Sequence, residues 1–159
     1  MEKDDFDLKE EYEKTRKKYN LPAYEDLASN FDIEKIGEKE SSYVLRDIRR
    51  IIVEKISAYM HFFEGLINPS SSSLFVLSMI KKVNKEIQEK VNKDYKVFSK
   101  FQIKSMKLDT IYDESSEADF IKEFYDKWQE MKKGIYELIE NLGEDIDNGK
   151  EERKGGYFG

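Results

Sequence analysis

One histidine, His61, and no cysteine mean that most acid–base, thiol and metal chemistry has nothing to work with in this chain. A catalytic triad or an imidazole–metal site would have to use His61. It lies in "HFF", inside an apolar run of helical spacing, and reads as a histidine on a helix surface or core edge. A di-iron carboxylate bundle needs two Glu-x-x-His pairs on facing helices, and Ala58 stands three residues before His61. P-loop, Gly-x-Gly-x-x-Gly, His-Glu-x-x-His and EF-hand patterns do not occur. The acidic stretch "DESSEAD", residues 113–119, holds ligand types for a cation. Yet Ser116 with Asp119 three residues on resembles a capping box, which accounts for both without a metal. The expectation is a non-enzymatic protein with no catalytic, cofactor-binding or metal residues and no cofactor.

Charge is distributed more tellingly than its sum. The formal net charge is −6, but residues 81–107 carry nine lysines against three acids, while residues 1–40 carry 8 basic and 13 acidic groups and residues 108–143 carry 4 and 10. At about 100° per residue, Lys93, Lys96, Lys100, Lys104 and Lys107 share an arc of roughly 80° on one helix face, opposite Val83, Ile87, Val91 and Phe98. Such a stripe suits phosphates, with salt-sensitive and sequence-independent affinity, or it docks against acidic segments of the same chain. Single-strand binders stack bases on aromatic rings, and no ring interrupts this lysine face. Arg46, Arg49 and Arg50 in "LRDIRR" form a second cluster whose forked donors suit phosphate, a partner's carboxylates or internal acids.

The last candidate is "KEERKGGYFG", residues 150–159. Gly155, Gly156, Tyr157 and Phe158 put two rings after two glycines in an otherwise charged stretch. Either the rings fold back onto the core or they form a short linear motif that inserts into a pocket on a protein partner.

These groups are positioned by helices. Pro22 and Pro69, in "NLP" and "INPSSSS", break the chain. Leu45, Ile48, Ile52, Ile56, Tyr59, Phe63 and Leu66 keep to one face of a helix from about Ser41 to Ile67. "SSSSLF" opens a second periodic stretch through Val76, Ile80, Val83, Ile87, Val91, Tyr95, Phe98 and Phe101. It permits one helix of about 40 residues, or a break between Ser105 and Asp113. Ile121, Phe124, Trp128, Met131, Ile135, Leu138 and Leu142 alternate by three and four like a coiled-coil seam, along which two copies of the chain are expected to be able to associate. Gly143 stands where a helix end favours a left-handed residue. No segment alternates with period two. The predicted fold is all-α: an antiparallel helical bundle with two long helices (residues 41–143), an irregular helical N-terminal arm (1–40) and a flexible, disordered acidic C-terminal tail (144–159).

With 38% apolar and 13% aromatic residues against 39% charged, the chain can bury a core beneath a heavily charged surface. No 18-residue apolar run occurs and the first residues are acidic. With cysteine absent, the expectation is a cytoplasmic protein that does not engage membrane.

The segments "LPAYEDLASNF", "LRDIRRIIVEKI", "INPSSSSL" and "GYFG" together resemble an uncharacterised all-helical family from archaea, over most of the chain. The "LRDIRRIIVEKI" helix is also similar to the helical domain of archaeal replication GINS subunits. The first likeness implies a helical fold and no activity. Two functions are therefore expected: an adaptor or complex subunit that binds other proteins, with the tail as a linear motif, or an accessory subunit of a nucleic-acid machine, associated with replication or the ribosome, that contacts phosphates through the lysine stripe.

Overall fold

The computed structural model describes residues 7–37 and 41–152. Asp7 opens the first helix, α1 (Leu8–Tyr19), by accepting the backbone N–H of Lys9 at 2.9 Å, the usual service of an N-cap carboxylate. Asn20 closes it in the left-handed conformation at φ 52°, a role that falls to Asn when Gly is absent. Pro22 follows, and its carbonyl accepts the buried Tyr12 hydroxyl at 2.5 Å. Next come α2 (Tyr24–Asn30) and a 3₁₀ turn at Ile33–Ile36 that ends at Gly37, with φ 67°. After these come α3 (Val44–Ile67), a 3₁₀ turn at Pro69–Ser71, α4 (Leu74–Ile80), α5 (Lys85–Thr110) and α6 (Glu114–Glu152). Among the described residues there is no strand, and the all-α expectation is met.

The chain forms two compact units, one drawn from Met1–Ala58 with Phe98–Trp128 and the other from Tyr59–Val97 with Gln129–Gly159. Helices α3, α5 and α6 supply residues to both. In the first unit, the N-terminal segment is a series of short helices built into the core. Tyr12, Leu27, Phe31 and Ile33 are fully or almost fully buried beside Leu45, Ile48, Ile52 and Ile56 of α3, so the expected boundary at residue 40 does not set this segment apart. The centre is aromatic. Phe124 lies 5.0 Å from Phe101, 5.8 Å from Phe31 and 6.2 Å from Phe98, centroid to centroid, within the range where tilted and edge-on rings attract. Phe98 against Phe124 and Phe101 against Phe120 show α5 and α6 running antiparallel here. Arg49 reaches Glu117 while Lys55 lies over Trp128, so α3 runs parallel to α6.

In the second unit, Phe63, Leu66, Val76, Met79, Val91, Met131, Ile135, Leu138 and Leu142 are buried. Helix α4 packs closely on α3 because residue 65 is glycine: a Cβ there would meet Val76 Cγ1 at 3.1 Å. Ser72 Oγ donates to the Gly65 carbonyl at 2.5 Å and fixes the approach.

Three local expectations change. The middle stretch breaks at residues 81–84, where Asn84 Oδ1 accepts the Ile87 N–H at 2.9 Å and starts α5; neither Gly nor Pro marks the place. Helix α5 then runs through Ser105 and ends at Thr110, so the break expected between Ser105 and Asp113 does occur, at residues 111–113. At the next start, Asp113 is the cap, accepting from the Ser116 N–H at 2.9 Å, so Ser116 is the capped residue and not the cap. Gly143 does not end α6, which continues to Glu152. Residues 144–152 are thus helical where a disordered tail was expected: glycine inside a helix costs only about 1 kcal/mol relative to alanine, and no proline follows.

Candidate interaction surfaces

The "LRDIRR" arginines divide by helical position. Arg49 faces inward and is fully buried. Its Nε donates to Glu117 Oε2 at 2.5 Å and its Nη2 to Glu117 Oε1 at 3.3 Å, a two-pronged pair with an equally buried carboxylate. Nη1 donates to Ser105 Oγ at 2.5 Å and Nη2 to Asp109 Oδ1 at 2.7 Å. Burial alone would lower the pKa of this guanidinium, but the hydrogen bonds and charges of Glu117 and Asp109 outweigh it and leave it raised. Arg49 is therefore spent inside the protein and is not a contact for phosphate or for an acidic partner.

Arg46 is mostly covered. Its Cζ lies 5.1 Å from the Tyr43 ring centre and 4.7 Å from that of Tyr112, while Nε approaches Glu117 only to 3.8 Å and has no hydrogen-bond partner. The two rings touch each other, centroids 4.4 Å apart, and the guanidinium lies against the pair in the cation–π contact that arginine favours. Arg50 is the exposed member, 3.7 Å from Asp109. The hydrogen bond from Arg49 lowers the Asp109 pKa against a smaller opposing effect of burial.

All five expected lysines are exposed. Lys93 and Lys96 belong to the second unit. Lys100, Lys104 and Lys107 belong to the first, where Lys104 pairs with Glu123 and lies 5.2 Å from the Phe101 ring centre. The periodic reading missed what lies between these three. Ile103 is 55% and Met106 63% exposed on the same outward side of α5, so the face is basic and apolar together. The residues were visible in "KFQIKSMK", but they fall off the core-facing repeat and passed as background.

The Ile121–Leu142 seam offers no surface for a second copy. All seven of its side chains are buried, because the chain's own helices cover them. Among the described residues, the large exposed apolar groups of the second unit are instead Leu74, Phe75 and Leu77 on α4, and Tyr136 and Ile139 on α6. The uncharged "INPSSSSLFVLSMI" could have pointed to α4, but it served only as a helix start.

Gly155, Gly156, Tyr157 and Phe158 lie outside the described residues. Among the described residues no group of three or more His, Cys, Asp or Glu is placed to hold a metal ion, and no helix is long and apolar enough to cross a membrane. No protein-family model, curated protein or solved structure matches the chain.

Proposed function

We propose that this chain is a non-enzymatic helical adaptor or complex subunit that binds other proteins, using the outer face of α5 in the first unit and the "GGYFG" segment as a linear motif. The observation that carries the reading is the exposure of Ile103 and Met106 among Lys100, Lys104 and Lys107. Aliphatic side chains gain free energy when another apolar surface covers them, about 25 cal/mol per Å², and flanking ammonium groups select a partner with carboxylates around its apolar patch. An acidic amphipathic helix has both properties. The test is quantitative capture from cell extract by the intact chain and by an Ile103→Ser, Met106→Ser variant. Captured protein should fall by about tenfold or more in the variant, as for interface anchors, with the melting temperature unchanged. Equal capture by both would refute the assignment. Truncation after Glu152 tests the motif separately: the fold should melt as before and the partner should be lost.

The exposure of all five lysines favours a second reading, contact with nucleic-acid phosphates as an accessory subunit. It requires retention on a duplex or single-strand column at about 50 mM salt and release as salt rises. Passage through the column at that salt would exclude it.

A further inference from the structure

We propose that two copies of the chain associate through the second unit, with α4 of each seated on α6 of the other. Helix α4 is held to α3 by the Gly65 approach and the Ser72 hydrogen bond, so its outward residues are presented by a fixed element. Those residues are large and apolar: Leu74 is 86% exposed, Phe75 60%, and Leu77 is also exposed. Along the sequence, the charges that follow them have one sign as far as Lys85. No acidic residue occurs from 65 to 85, where Lys81, Lys82 and Lys85 stand, and Lys81 and Lys85 are exposed.

The same unit carries a surface of opposite character. On α6, Tyr136 is 67% exposed and Ile139 is exposed one turn later, with Glu137, Glu140 and Glu144 exposed beside them. One further turn on, Gly143 has nothing within 4 Å of where a Cβ would stand. Tyr136, Ile139 and Gly143 follow one another at i, i+3 and i+7, the spacing of a helix-packing face, and the glycine lets another helix approach closely. This gives a reason for a glycine inside α6 that does not end it. An apolar helix followed by exposed lysines thus meets an apolar helix face flanked by Glu137, Glu140 and Glu144, with Lys132 and Lys133 exposed one turn before it, and both lie on one unit of one chain. Two copies exchanging them make the contact twice and close as a two-fold pair. This self-association is independent of the α5 face.

Sedimentation of the intact chain between about 1 and 100 µM, bracketing micromolar affinity, tests the proposal. The expected mass rises from one chain to two and stops there. Leu74→Ser with Phe75→Ser, and Gly143→Leu on the solvent side of α6, should each weaken pairing by about tenfold or more. Lys81→Glu with Lys85→Glu should weaken it, as should Glu137→Lys with Glu140→Lys, and combining the two reversals should restore it. Restoration requires that all these variants still fold and that the two sets of charges meet. A single-chain mass at about 100 µM overturns the proposal, as does open-ended growth beyond two copies, or failure of the combined reversal to restore pairing.

Discussion

The interaction that most shapes the first unit is Arg49 with Glu117, a buried charge pair completed by Ser105 and Asp109. Taking both charges out of water is costly, and the pair compensates only while both partners are present. Arg49→Ala should therefore destabilise the fold by about 3–5 kcal/mol, because it leaves the Glu117 carboxylate buried without its counter-charge. Replacing both residues with leucine should recover most of that loss, and urea unfolding of the two variants checks it. Asp109 adds a pH dependence of known sign. Its carboxyl pKa is lowered in the folded state by the Arg49 hydrogen bond, so its contribution is present at neutral pH and disappears as pH falls below about 4, through the folded pKa. The stability difference between the protein and its Asp109→Asn variant should narrow over that range in thermal melts. The sequence showed three arginines on adjoining positions and many carboxylates, but not which arginine turns inward. That depends on α3 meeting α5 and α6 at Ser105 and Glu117, residues 56 and 68 positions away.

At the scale of elements, periodicity was the readable quantity. Leu45, Ile48, Ile52, Ile56, Phe63 and Leu66 of α3 are buried, and so is the Ile121–Leu142 series of α6. Both faces were legible because their 3,4 spacing is long and uninterrupted. Helix ends were harder. A glycine or proline is a strong sign of a break, yet α4 and α5 separate at residues 81–84 through an asparagine cap, and α6 passes through Gly143. Gly143→Ala decides the second point. In a helix interior it should stabilise the fold by about 0.5–1 kcal/mol, measured at about 1 µM chain so that pairing does not contribute. At a left-handed cap the same change would destabilise.

For the whole molecule, periodicity identifies what is inside and says little about the outside. Ile103, Met106, Leu74, Phe75 and Tyr136 fall off the core repeats, and only the packed helices reveal that they stand exposed among the described residues. The expected seam between copies failed for the converse reason: a 3,4 stripe looks the same whether its cover comes from the same chain or another. The functional account rests on the basic and apolar face of α5, and its lysines offer their own probe. Lysine-reactive cross-linking of the captured complex, with the linked peptides read by mass spectrometry, reports which side of the chain the partner touches. The account predicts cross-links from Lys100, Lys104 or Lys107 to an acidic segment of a partner protein, lost in the Ile103→Ser, Met106→Ser variant. Cross-links confined to lysines elsewhere, or unchanged in that variant, would contradict it.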